Sequence, residues 1–394
     1  MRRSLPAAAG VTHPFRMKIR RLLKWTTRLI LGAFLIAFVW GFVAYWTSTN
    51  DCDRETGVSK NSMKAIRKCE YGVLTLRDVE KPTPTDNQVL IKVRAASLNA
   101  ADGHLLRGGL LLRPFGGMRK PKDSRFGIDV AGTMEAVGKN VTEFKPGDEV
   151  FGAANGSIAE YVCAAERTLV IKPPNITFEQ AGSVAVAGLT ALQGLRDQGN
   201  IRPGQKVLVN GASGGVGTFA VQIANALGAE VTAVCSSRNV EQARSMGAHR
   251  VIDYTKEDFT QSDQRYDVIF DNVGNHTIAE RRRVLTPNGI CVLAGMGSAG
   301  KHEGQWPRLM GNLKAFFVSP FISQKFKMYI AKTLKADLTV LRDLMQEGKL
   351  TPVIDRQYSM NETAEALRYL EDGHARGKVV ITIGEPSSNS TPTP

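Results

Sequence analysis

The 394-residue sequence predicts an α/β protein: a β-rich region leads into a doubly wound parallel sheet, and one transmembrane helix precedes both. Three observations carry this expectation. An uncharged apolar run lies near the N-terminus, short β-type runs broken by Pro, Gly and Asp turns follow it, and strands then alternate with helices around a glycine-rich loop. A hydrophobic fraction of 43% and a charged fraction of 22% are ordinary for folded chains, and the length accommodates two domains.

Residues 1–28 form a basic arm with eight Arg or Lys and no acid. They account for most of the net charge of +14, so the basicity points to a membrane surface before it points to nucleic acid. No basic helix is clustered in the body of the chain, and nucleic-acid binding is not expected. Residues 29–50 carry no charge and would make a helix about 30 Å long, with Trp25, Tyr45 and Trp46 placed as interfacial anchors. The reading is a retained single span and a single-pass membrane protein. A cleaved signal peptide is disfavoured, because the apolar stretch is long and no small-x-small site follows. The face of the globular part stays open: the positive-inside rule places it across the membrane, whereas the glycine-rich loop described below argues for the cytosol. Arg20-Arg21-Leu22-Leu23-Lys24 weakly resembles a twin-arginine export signal. Cys52, Cys69, Cys163, Cys235 and Cys291 stand at no metal-ligand spacing and suggest no disulfide framework, so they read as thiols in a reducing compartment.

A polar linker is expected over 51–62 and a β-rich domain over 63–180, with runs such as Val89 to Val93 and the turn Lys145-Pro146-Gly147-Asp148. Over 181–325 the rhythm changes. Lys206 to Val209, Glu230 to Cys235, Val251-Ile252, Tyr266 to Phe270 and Gly289 to Leu293 read as strands separated by helical runs, which is the pattern of a parallel, doubly wound sheet. Residues 326–384 return to mixed texture, with a helix near Leu334 to Gln346 and a strand at Val379 to Ile383; 385–394 is expected to be a disordered tail.

Between the first of those strands and its helix lies Asn210-Gly211-Ala212-Ser213-Gly214-Gly215-Val216-Gly217. Glycines there let backbone N–H groups and a helix N-terminus approach a pyrophosphate, so Ala212, Ser213, Gly214, Gly215, Val216 and Gly217 are candidate cofactor-binding residues. The second strand ends in Val234-Cys235-Ser236-Ser237-Arg238, without the acid that holds an NAD ribose. Hydroxyls and a guanidinium suit a 2′-phosphate, so Ser236 and Arg238 point to NADPH.

These residues resemble the zinc-independent branch of the medium-chain dehydrogenase/reductase superfamily, the quinone oxidoreductase or zeta-crystallin group. The likeness covers roughly residues 63–384, and its landmarks are Ala96 to Asp102, Lys145 to Gly152, Ala187 to Ala191, the glycine loop and Asp271-Asn272-Val273-Gly274. It implies a GroES-like catalytic domain, built from 63–180 and the returning tail, around a Rossmann domain. It places Asn99 and His104 in the active-site cleft as candidate catalytic residues, and Thr190, Asn272 and Gly295 beside the cofactor. Tyr254 would pack near the adenosine phosphate. Family members often carry Tyr where this chain has His104. Zinc-dependent relatives carry Cys and Gly-His-Glu motifs where this chain has Asn99, Gly127-Ile128-Asp129 and Val186, so no metal is expected.

Without a Lewis acid, reduction of a quinone or an α,β-unsaturated carbonyl is less demanding than oxidation of an alcohol, because the developing charge delocalises onto an oxygen. The expected substrate is a small lipophilic carbonyl or quinone, and NADPH is the expected cofactor. Two rivals differ in kind: an enoyl or alkenal reductase on the same scaffold, and a catalytically idle NADPH-binding sensor or structural protein. Leu110 to Lys122 reads as a lid, a membrane contact or a solvated loop. The apolar run Trp306 to Phe321 would wall the substrate pocket or form a homodimer interface.

Overall fold

The computed structural model describes residues 13–47, 49–53, 61–109, 113–294 and 323–384. The first element, α1 (His13–Trp46), corrects the expected membrane span and single-pass localisation: among the described residues no helix is long and apolar enough to cross a membrane. Its uncharged part ends at Trp46 rather than Asn50, so residues 29–46 measure about 27 Å at ~1.5 Å per residue, short of a ~30 Å hydrocarbon core. On the other side, the same helix continues into the basic arm.

The reading of all five cysteines as thiols is also corrected. Cys52, in the turn Asp51–Asp53, is disulfide-bonded to Cys69 with the Cα atoms 5.8 Å apart. The two stand 17 positions apart in the sequence, and no spacing pattern advertises the pair. Such bonds persist in oxidising surroundings. Asn50 donates to the Cys69 carbonyl at 2.7 Å and Lys120 pairs with Asp53 at 2.6 Å, so the segment after α1 is docked on the following domain. Cys163, Cys235 and Cys291 are free, and burial raises all three thiols, Cys163 and Cys235 to about 11.

The first domain opens with the hairpin β1 (Ser62–Glu70) and β2 (Val73–Glu80). Then come β3 (Gln88–Leu98), α2 (Ala100–Arg107), the short turn α3 (Arg113–Gly116), β4 (Asp129–Val137), β5 (Glu149–Ala153), β6 (Tyr161–Ala165) and β7 (Leu169–Ile171). Alternating apolar residues of β3, Val89, Ile91 and Val93, point into a core with Phe126, Val130 and Ile158. The helices α4 (Phe178–Ala181) and α5 (Ala185–Gln193) lead into the second domain.

That domain comprises β8 (Lys206–Asn210), α6 (Gly215–Ala226), β9 (Glu230–Cys235), α7 (Val240–Ser245), β10 (Arg250–Asp253), β11 (Tyr266–Asp271), α8 (Ile278–Arg283), β12 (Leu285–Leu293) and β13 (Lys325–Met328). The strands form one parallel sheet in the order β10-β9-β8-β11-β12-β13. The middles of its inner strands are largely apolar (Val207, Leu208 and Val209 are fully buried), as a sheet covered on both faces requires. Crossing from β8 to β11 reverses the strand order, and the carboxyl ends of those two strands are where doubly wound sheets bind their ligands. β13 lies in this sheet, so the return to the first domain begins after Met328 rather than at residue 326.

The tail supplies α9 (Lys335–Gln346), β14 (Ile354–Ser359), α10 (Thr363–Glu371) and β15 (Lys378–Thr382). β15 pairs antiparallel with β3, completing the first domain's sheet, β14-β15-β3-β4-β5-β7 with β6 on β3. This pairing brings the start of β15 against the end of β3 and the head of α2, and so decides what the cleft contains.

Candidate active site

The glycine loop leaves β8 at Asn210 and lies between strand and helix as the sequence predicts, but α6 already begins at Gly215, so Gly215, Val216 and Gly217 belong to its first turn. Gly211 has φ +83°, a left-handed conformation that glycine adopts without penalty. A Cβ on Gly217 would lie 2.0 Å from the Gly211 carbonyl oxygen, so the tight turn depends on the missing side chain. Gly214 is the N-cap of the twelve-residue α6, whose first N–H groups face the crevice end of the sheet. Ala212 is buried and donates its N–H to the Val234 carbonyl, tying the loop to β9. These features fit a dinucleotide pyrophosphate: exposed donors, a helix dipole and no Cβ in the turn.

Beneath the loop, Asp271 at the end of β11 accepts from Asn210 Nδ2 at 2.9 Å and from the N–H of Gly274 at 2.9 Å. The buried Arg281 neutralises it at 2.7 Å. Asn272 stands beside it and donates its N–H to the Asn210 carbonyl, so the structure sets it against the cofactor loop. Arg281 was not legible from the sequence, lying within a basic helix run that reads as surface.

At the far edge, Ser236, Arg238 and Tyr254 come together where β9 and β10 end. Tyr254 is 63% exposed, and its N–H donates to the Cys235 carbonyl. Ser237 donates to Asp253 at 2.5 Å, and Thr255 donates to the same carboxylate, which holds that acid well below the usual carboxylate range. Arg238 donates to the His374 carbonyl at 3.0 Å, while Arg376 donates to the Arg238 carbonyl at 3.3 Å. The returning tail thereby sets a second guanidinium on this edge, one that the linear pattern did not reveal.

On the opposite side of the cleft a polar cluster is buried. Asn99 precedes α2, but its side chain does not cap that helix. The cap is supplied in reverse, by Asp102 accepting the Asn99 N–H at 2.7 Å. The Asn99 amide instead donates to Asp129 Oδ2 at 2.9 Å and accepts from Lys378 Nζ at 2.6 Å. Asp129 also accepts from Ser97 Oγ at 2.7 Å, from Lys378 at 3.2 Å and from the Val186 N–H at 2.7 Å. Val186 starts the turn of α5 that carries Thr190, whose hydroxyl donates to the Val186 carbonyl. Thr190 is therefore tied to the cluster. The Lys378 stem reaches the glycine loop: a Cβ on Gly215 would lie 3.1 Å from Lys378 Cδ. Sequence reading found Asn99 but missed Asp129 as a hub and Lys378 altogether. The available signal was a lysine opening an otherwise apolar strand, Lys378 to Ile381.

His104 lies on α2, half-buried. Burial, and then the nearby Arg107, lower its pKa, so its imidazole is neutral at neutral pH. Gly295 falls outside the described residues, as do Trp306 to Phe321. The described part of the loop beyond α2 is pinned: Tyr71 donates to the Gly117 carbonyl at 2.6 Å, and the Arg113 guanidinium stacks 4.7 Å from the Tyr71 ring. A cavity of about 630 Å³ opens elsewhere, between α6, α7 and residues 348–353. Among the described residues, no group of three or more His, Cys, Asp or Glu side chains could hold a metal ion.

A β-sheet domain joined to a Rossmann sheet, with a glycine-loop cradle near a buried polar cluster, defines an NADPH-dependent oxidoreductase. Comparison with known proteins agrees. Residues 85–175 match the alcohol dehydrogenase GroES-like domain, and residues 246–381 match a model described as zinc-binding dehydrogenase. A chloroplastic quinone oxidoreductase of Triphysaria versicolor is 33% identical over 339 residues, covering 81% of this chain and 98% of that protein. A 2-methylene-furan-3-one reductase of Solanum lycopersicum is 32% identical, covering 82% of this chain and 79% of its own length. The structure of the quinone oxidoreductase from Coxiella burnetii superposes with a TM-score of 0.71 at 31% identity, covering 82% of this chain and all of that one. The chain belongs to the quinone oxidoreductase family of the medium-chain dehydrogenases/reductases.

Proposed function

We propose that this enzyme reduces a quinone or an α,β-unsaturated carbonyl at the expense of NADPH, without a metal. The observation that carries the reading is the pairing of a dinucleotide cradle with a cleft cluster whose carboxylate is already spent. Zinc-dependent relatives need donors where this chain has Asn99, Gly127-Ile128-Asp129 and Val186, and the apolar Ile128 stands at the middle position of the triplet. Val186 offers none, and Asp129 takes hydrogen bonds from Ser97, Asn99, Lys378 and the Val186 backbone. A soft tetrahedral site does not fit there. Relatives named for quinone and furanone reduction support the substrate class.

When bound, NADPH supplies the hydride. Residues 211–217 would hold its pyrophosphate, Ser236 and Arg238 its 2′-phosphate, Tyr254 its adenosine end, and Asn272, Thr190 and Gly295 the nicotinamide side. Asn99 orients the acceptor through its amide, and the neutral His104 hydrogen-bonds the substrate oxygen as negative charge develops on it. That charge is delocalised in a quinone or enone, so a weak donor is sufficient.

The test is NADPH oxidation by the full chain against a panel of quinones and enones, with NADH in parallel and products identified. Turnover preferring NADPH supports the reading, and the product spectrum separates quinone from enone reduction. Tight NADPH binding with no turnover of any acceptor would sink it in favour of an NADPH-binding sensor.

A further inference from the structure

We infer that Lys378 is a positioning residue of this site: its ammonium locks the Asn99 side chain in the one orientation that leaves an N–H donor for the cleft. The inference rests on the reductase reading for its function and on geometry for its form. A primary amide has one oxygen and two N–H hydrogens. In Asn99 the oxygen is claimed by Lys378 at 2.6 Å, and one hydrogen goes to Asp129 at 2.9 Å. Flipping the amide would set an NH2 group against an ammonium and an oxygen against a carboxylate. Both charged partners are buried, Lys378 2% and Asp129 0% exposed, so water screens that mismatch poorly. Asp129 cannot swing away, because Ser97 and the Val186 N–H hold it from two other elements. Among the described residues the Asn99 amide nitrogen donates to Asp129 alone, which leaves its second N–H for an acceptor oxygen. An ammonium on the amide oxygen also makes that N–H a stronger donor. Because Lys378 Cδ packs against Gly215, the lock is referenced to the cofactor helix as well as to the substrate side.

The test compares N99A, K378Q, K378R and N99A/K378Q in the full chain. Each of the first two is expected to lower kcat about tenfold with the NADPH KM within about threefold, and the double variant to fall no further than N99A alone. K378R, which keeps a charged donor, should recover most of the loss. In protein labelled with 15N at asparagine, the Asn99 side-chain hydrogen bonded to Asp129 should exchange slowly with solvent in the native chain and rapidly in K378Q. A folded K378Q with native kcat, or losses that multiply in the double variant, would overturn the inference. If K378Q does not fold, D129N/K378M removes both charges together and should show the same loss of kcat and fast exchange; native values there would equally overturn it. Should the native chain bind NADPH but reduce no acceptor, the reductase reading fails, while the exchange measurement still decides whether Lys378 holds the amide.

Discussion

The glycine loop at residues 210–217 is made from one contiguous stretch of backbone, whereas the cluster beside it draws side chains from segments as far apart as Ser97 and Lys378. The cradle works through missing atoms: glycines give up Cβ so that the turn closes and N–H groups stay open. The cluster works through excess: an ammonium, a carboxylate, an amide and a hydroxyl are packed together and buried from solvent. The first kind of site tolerates change in everything except backbone space. The second fails when any one charge is left alone. Their adjacency at Gly215 means that the proposed cofactor and substrate sides would share a wall.

The contrast is sharpest at Asp129. Asp129→Ala would strand the Lys378 ammonium in the interior and should cost about 3–5 kcal/mol of unfolding free energy, read by urea denaturation. A loss below about 1 kcal/mol would show that the cluster does not behave as a mutually dependent unit.

Next in size is a pH effect at Asp102, whose carboxyl is pushed up to about 7 from 3.8, mainly by burial. The folded chain keeps this proton over a range where the unfolded chain has lost it. Stability should therefore fall as pH rises from about 4 to 7, by at most ~4 kcal/mol from this group. Asp102→Asn keeps an acceptor for the Asn99 N–H, and it should flatten that slope. An unchanged slope would place the titration elsewhere.

In the cradle, Gly217→Ala forces a methyl group against the Gly211 carbonyl and should weaken NADPH binding about 100-fold, or ~2.7 kcal/mol. Fluorescence titration with NADPH checks it; a native Kd would mean that the loop relaxes at no cost. The smallest effect is expected at the exposed edge. Arg238→Ala should raise the NADPH KM about tenfold, ~1.4 kcal/mol, and leave the NADH KM alone. Equal losses for both cofactors would remove the 2′-phosphate role from Arg238.

Asn99 shows where sequence reading reaches its limit. Its position before α2 suggests a helix cap, and the residue does stand at the N-cap, yet its amide is turned to partners on β4 and β15. Nothing local distinguishes the two uses. The cysteines teach the same lesson, since the bond between Cys52 and Cys69 depends on the segment after α1 folding back onto β1. The uncharged run at 29–50 misled for a different reason: composition counts residues, while the helix decides how many of them are stacked along one axis.

From the sequence alone one can read the alternation of strands and helices, the glycine loop and its place at a helix N-terminus, the Ser236 and Arg238 edge and the family resemblance. These are local, carried by backbone geometry and by periodicities of a few residues. Only the tertiary structure assembled Lys378, Asp129 and Asn99, paired Arg281 with Asp271, and brought Arg376 to Arg238. A buried charge is stable only where a partner meets it, and that meeting depends on the antiparallel pairing of β15 with β3, across more than two hundred residues of intervening chain.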